Sequence, residues 1–182
     1  APQVGGIVKL TGFILKTSLI IEMIGAALLA PVFCNDLGIA KGLWYSLFHS
    51  ISAFCNAGFD LFGIKEPFSS LTFYHSNIYL NIIIMLLIIT GGIGFLVWGD
   101  IGTHKHRIRR YSLQSKVVLM TSAVLIVLPA LYFFFCEYDH ETIHDRTIHS
   151  LFQSVTTRTA GFNTTDLAAM DESGTAIMVI LM

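Results

Sequence analysis

Leu47-Phe-His-Ser-Ile-Ser52 and Leu151-Phe-Gln-Ser-Val-Thr156 are two versions of one motif, and each leads into the same tripeptide, Ala57-Gly-Phe59 and Ala160-Gly-Phe162. Four residues separate the two blocks in the first copy and three in the second. The match includes polar positions, so shared hydrophobicity alone does not account for it. The first copy lies in the apolar run 43–54, which as a helix is about 18 Å long against a hydrocarbon core of about 30 Å. The second, 149–156, is shorter still. Neither can cross a bilayer, and each is followed by small, helix-breaking residues. Irregular backbone at membrane depth is tolerated where it is buried in protein or lines a watery cavity. A short helix that enters, breaks and returns meets that condition, and internal repeats in membrane proteins surround transport pathways.

Three longer runs flank these pieces. Residues 76–99 and 117–136 carry no charge, and residues 10–33 carry Lys16 and Glu22. A fourth run begins near Ala176. Hydrophobic residues make up 54% of the chain and charged residues 13%, where a soluble domain carries about 25% charged residues. The bilayer is therefore the expected solvent. A net charge of −1 gives no reason to expect nucleic acid. Cys34, Cys55 and Cys136 form neither an even disulfide framework nor a CxxC metal pair. The order is span, re-entrant loop, span, then the same again, an all-α membrane protein with pore loops of the potassium-channel kind. Residues 1–101 read as one repeat, 102–116 as a basic connector and 117–182 as a second repeat. The chain starts at Ala1 without a signal-peptide pattern and stops within an apolar run, so it is expected to be the middle of a longer polypeptide.

Orientation follows from the positive-inside rule. His104-Lys-His-Arg-Ile-Arg-Arg110, with Lys116, joins the second and third spans and should be cytoplasmic, in agreement with Lys9 and Lys16. Loops around Asp36, Glu66 and Glu137-Tyr-Asp-His-Glu141 then face outward, and both short helices dip in from outside.

A dehydrated cation needs oxygen ligands in place of its water shell, and rings of backbone carbonyls supply them in potassium filters. Glycine serves where such a strand needs positive φ. Cys55, Asn56, Ala57 and Gly58, with Arg158, Thr159, Ala160 and Gly161, are the candidate filter residues, contributing mainly backbone. Phe59 and Phe162 are expected to wedge the strands against surrounding helices. Each short helix directs its partially negative C-terminus toward the membrane centre, which favours a cation. The alternative is that these glycines mark ordinary tight turns; the duplicated half-helix and break favours the filter. The Arg158 side chain should point behind the filter, bonding carbonyls or a carboxylate. Glu22 reads as a partner to a neighbouring hydroxyl or to Lys16. Thr90-Gly-Gly-Ile-Gly-Phe95 reads either as a close-packing surface or as a hinge.

His140-Glu-Thr-Ile-His144 has the HExxH spelling of zinc proteases, which place two imidazoles on one helical turn with a glutamate base. The rival reading is a membrane metalloprotease holding zinc on His140, His144 and His149, with Glu141 activating water. The plainer one is a solvated linker into the second pore helix. A third class is a non-transporting membrane scaffold.

Phe48-His-Ser-Ile-Ser-Ala-Phe-Cys-Asn-Ala-Gly-Phe59, Thr90-Gly-Gly-Ile-Gly-Phe95 and Gln153-Ser-Val-Thr-Thr-Arg-Thr-Ala-Gly-Phe-Asn163 together resemble the Trk/Ktr/HKT family of potassium transporters, in the right order along essentially the whole chain. The resemblance implies four span–loop–span repeats, pseudo-fourfold about one pore, of which this chain holds the second and most of the third. It implies potassium as transported substrate, crossing the plasma membrane through a backbone-carbonyl filter with no organic cofactor and no catalytic residue. It also implies homodimerisation, a cytoplasmic nucleotide-binding regulatory ring, and a mobile gating loop on the helix after Met182. Two of the four filter strands lie outside this chain, including the first repeat's, where a glycine or serine influences potassium over sodium.

Overall fold

Hydrocarbon offers no water to backbone N–H and C=O groups, so uncharged runs of spanning length resolve as helices that satisfy themselves. The computed structural model describes residues 2–64, 69–105, 107–165, 167 and 170–182, and among them there is no strand. Glu66, read as outward-facing, and His106 of the basic run lie outside the described residues. Helix α1 (Pro2–Leu37) extends the expected first span at both ends. Gly38, at φ +80°, breaks it, and α2 (Ile39–Phe54) follows at once.

The chain divides within α2 into two units, Ala1–Ile51 and Ser52–Met182. In the first, Gly42 lies directly against the backbone of Cys34 and Phe33, so that no Cβ fits there. The buried Phe33 ring meets His49 at 5.3 Å between centroids. The Ser50 hydroxyl donates to the Glu22 carbonyl at 2.7 Å.

In the second unit α3 (Ile78–Ile93) is capped by Asn77, whose side chain accepts from the Leu80 N–H at 3.1 Å. Buried Asn81 donates to the carbonyls of Tyr74 (3.1 Å) and His75 (2.9 Å), which fastens the outer loop to this helix. The expected continuous span over residues 76–99 is not continuous. Gly94, at φ +87°, ends α3, and α4 (Phe95–His104) departs at 94° to it. Sixteen residues in α3 give about 24 Å of helix.

Helix α5 (Leu113–Tyr132) is capped by Ser112 and continues as a π-turn over Phe133–Glu137. Arg146 donates from Nε to the Phe134 carbonyl and lies 4.3 Å over the Phe134 ring, supporting the widened turn. Helix α6 (Ile143–Thr157) starts earlier than its apolar residues suggest, because Thr142 caps it by accepting from the Asp145 N–H. Helix α7 (Glu172–Leu181) closes the described chain.

Among the described residues Val8–Leu37 and Leu113–Glu137 are long and apolar enough to cross a membrane, and α3 with α4 makes a third, broken candidate. Their large apolar side chains are widely exposed, Leu15, Leu19, Met120 and Leu128 among them, as lipid-facing surfaces require. The polar residues are inside instead: His49, Gln153, Ser154 and Thr156 are all buried. The chain is an all-α membrane protein.

Candidate functional site

The two short helices end in the same way. After α2 the Ala57 N–H donates to the Ser52 carbonyl at 2.8 Å, and after α6 the Ala160 N–H donates to the Thr156 carbonyl at 3.0 Å. Gly58 then adopts φ +68° and Gly161 φ +78°, a region open to glycine and costly for other residues. The first copy is one residue longer, and Asn56 absorbs the excess at φ +52°. Beyond each glycine the chain is held back against its own helix. The Ser52 hydroxyl donates to the Phe59 carbonyl, the Thr156 hydroxyl to the Phe162 carbonyl, each at 2.8 Å. Sequence reasoning gave these two hydroxyls no role; the signal was that Ser and Thr, which share only a hydroxyl, stand at matched positions.

A second matched pair anchors each short helix to the span before it. Ser50 donates to Glu22 in α1 (2.7 Å), and Ser154 donates to Ile126 in α5 (2.6 Å). In α5, Pro129 has no N–H to give to the helical carbonyl four residues back. The Ser154 hydroxyl reaches that region of unsatisfied backbone.

The structure brings the two loops together. The Ala160 carbonyl occupies the place a Cβ on Gly58 would need. Farther out, the Leu71 N–H donates to the Asn163 carbonyl at 2.9 Å, and the Asn163 N–H donates to the Ser70 hydroxyl at 3.2 Å. Gly58, Ala160 and Gly161 thus meet, while Cys55, Ala57 and Thr159 are exposed. The aromatic pair splits. Phe162 is fully buried, but Phe59 is 69% exposed. The backbone on either side of the Phe162 ring is tied down, its carbonyl to Thr156 of α6 and that of Asn163 to Leu71.

Helix α3 supports both loops from behind. Gly91 lies against the Phe54 carbonyl so closely that no side chain fits. With its amide oriented to satisfy both neighbours, Asn56 donates to the Ile88 carbonyl at 3.1 Å and accepts from the Gly92 N–H at 3.2 Å. The Asn56 side chain is thus engaged by α3. The Arg158 guanidinium extends to the Ser122 hydroxyl on α5 at 3.4 Å and lies near Gly92. Its partner is a hydroxyl rather than a carboxylate. Within Thr90-Gly-Gly-Ile-Gly-Phe95 the glycines differ: Gly91 packs against Phe54, and Gly94 sits at the bend between α3 and α4.

The HExxH spelling does not form a zinc-protease geometry. Helix α6 begins at Ile143, so His140 and Glu141 precede it and cannot share a helical turn with His144. His140 is 92% exposed and pairs with Asp139 at 3.0 Å, while Glu141 meets buried His149 at 2.7 Å. Among the described residues no three His, Cys, Asp or Glu side chains gather as metal ligands. The linker reading holds, with Glu141 tying it to α6. Beside it the Tyr138 hydroxyl shares a hydrogen bond with Thr165 at 3.1 Å, and burial pushes its pKa up to about 12.

Comparison with known proteins agrees with this architecture. The family model for the TrkH cation transport proteins matches residues 3–182. The chain is similar to the potassium/sodium uptake protein NtpJ of Enterococcus hirae, 40% identical over 99% of this chain and 40% of that protein. It is also similar to Ktr system potassium uptake protein B of Bacillus subtilis, 37% identical over 100% of this chain and 40% of that protein. The same-named protein of Vibrio alginolyticus is 32% identical over 96% of this chain and 39% of that protein. The chain thus spans about two-fifths of the length of these relatives. With the paired loops and the match along nearly its whole length, the chain belongs to the TrkH family of cation transport proteins.

Proposed function

We propose that this chain supplies two of the loops of a narrow, carbonyl-lined pathway for potassium across the plasma membrane. The backbone of Cys55, Asn56, Ala57 and Gly58 forms one filter strand, and that of Arg158, Thr159, Ala160 and Gly161 the next. The observation that carries this reading is the duplicated hydrogen bond from Ser52 to Phe59 and from Thr156 to Phe162, each just beyond a glycine at positive φ. Such a bond holds an extended strand beside a helix C-terminus, where oxygen dipoles favour a cation. Potassium stands in the names of the relatives, and no covalent chemistry is required.

In this reading residues 1–101 and 117–182 are successive repeats and 102–116 is their cytoplasmic connector, with both filter strands entered from outside. The remaining strands come from the rest of the polypeptide, arranged with pseudo-fourfold symmetry. A second copy and a cytoplasmic nucleotide-binding ring complete the assembly; the designation "Ktr system" of two relatives supports a multi-component transporter.

The test uses the complete polypeptide in a bacterium lacking potassium-uptake systems, with the cytoplasmic partner supplied. Wild type should restore growth at low potassium and take up rubidium. Gly58→Ser, at equal membrane expression, should reduce uptake or make it sensitive to sodium. Correct insertion without any uptake by wild type would instead favour the scaffold reading.

A further inference from the structure

Because α4 leaves α3 at 94°, a membrane-crossing α3 sends α4 along the bilayer surface and not through it. The connector continues from that helix. Lys105, Arg107, Arg109 and Arg110 are all exposed. Thr103, His104, Lys105, Arg107 and Arg110 line one hollow of about 380 Å³. The turn is held in shape from within: the Tyr111 hydroxyl donates to the Lys105 carbonyl, and Lys116 Nζ donates to the Arg109 carbonyl at 2.9 Å.

The carboxylate of α4 is committed elsewhere. Asp100 accepts from the Ser112 N–H (2.9 Å), the Ser112 hydroxyl (2.7 Å) and the Ser115 hydroxyl (2.6 Å). It lies 3.9 Å from His104 Nδ1. Among the described residues no carboxylate pairs with Arg107, Arg109 or Arg110. Guanidinium groups that are unpaired, clustered and exposed suit a phosphate, which they bind through bidentate hydrogen bonds.

The flanking residues distinguish a lipid phosphate from a free one. Ile108 is 62% and Leu113 79% exposed, interleaved in sequence with the cations, and Leu96 at the start of α4 is 55% exposed. Water is a poor solvent for such side chains, and a free anion has no use for them. An acyl chain is the partner that suits them. We propose that α4 and the 105–113 connector form a binding site for anionic phospholipid headgroups, with Arg107 and Arg110 holding the phosphate and Leu96, Ile108 and Leu113 lying against the acyl chains. The inference needs only that the chain is membrane-embedded, so it stands apart from the ion it conducts.

The experiment measures binding of fluorescent phosphatidylglycerol to the purified complete polypeptide in phosphatidylcholine nanodiscs, with no ion gradient. Wild type should retain phosphatidylglycerol over phosphatidylcholine, and raising ionic strength should weaken that preference. Arg107→Gln/Arg110→Gln should weaken it roughly 25-fold, at about fivefold for each cation near a surface. Arg107→Lys/Arg110→Lys, which keeps the charge without the bidentate fork, should fall between wild type and the Gln variant, which separates lost charge from lost fold. Competition by inorganic phosphate would overturn the lipid assignment in favour of a free-anion site. Unchanged phosphatidylglycerol binding in the Gln variant would overturn the assignment of Arg107 and Arg110 to the headgroup.

Discussion

Gly58 and Gly161 stand at matched places in the two loops but in different surroundings. Both are left-handed, which costs a side-chain-bearing residue about 1–2 kcal/mol. Only Gly58 also has a carbonyl, that of Ala160, where a Cβ would go; Gly161 has open space. Gly58→Ala should therefore lower thermal stability in detergent and rubidium uptake distinctly more than Gly161→Ala, and equal losses would show that the two loops do not abut at Ala160. The paired hydroxyls make a second contrast. Thr156→Val removes a buried donor to the Phe162 carbonyl and should cost about 1 kcal/mol. Thr156→Ser should be nearly silent, since Ser52 makes the same bond in the other copy. At this scale the glycines were legible because their conformation is a local property. The Asn56 side chain was not, because its partners Ile88 and Gly92 belong to a helix that only folding brings alongside.

The break between α3 and α4 sets what each element does. Residues 76–99 read as one span because hydropathy records solvent preference and is blind to a dihedral angle. Gly94, with no atom near its missing Cβ, is constrained by φ alone. Gly94→Ala should cost about 1–3 kcal/mol, and cysteine cross-linking across the bend should show α4 displaced without loss of the α3 contacts to Phe54. Asp100 then latches α4 to the start of α5. Hydrogen bonds from Ser115 and Ser112 hold its pKa down to about 2, against about 3.9 for a free carboxylate. A folded-state pKa below the unfolded one means the latch stabilises above about pH 4 and is lost as pH falls toward 2. The melting difference between wild type and Asp100→Asn should therefore shrink over that window. A difference independent of pH would place the stabilisation in packing instead. The start of α6 shows the same limit of hydropathy: its first turn is polar, and the Thr142 cap and Asp145 mark it.

For the whole molecule, the telling contrast is Phe162, fully buried, against Phe59, 69% exposed. If the repeats close into a ring, Phe59 is covered by the repeat that precedes it, as Phe162 is covered here. In the complete polypeptide Phe59→Ala should then destabilise about as much as Phe162→Ala, on the order of 3–5 kcal/mol; a near-neutral Phe59→Ala would mean that this face stays open. The sequence by itself determined the solvent, the helices and the duplication, because apolar composition, span length and repeated letters are properties of short stretches of chain. It also marked the glycines at which each loop departs from its helix. Only the tertiary structure decided that Ala160 closes on Gly58, that Asn56 enters the ladder of α3, that Arg158 reaches Ser122, and that His140 and His144 never share a turn. Each of those depends on contacts between residues far apart in the chain, or on where a helix begins, and such contacts exist only once buried polar groups have found their partners.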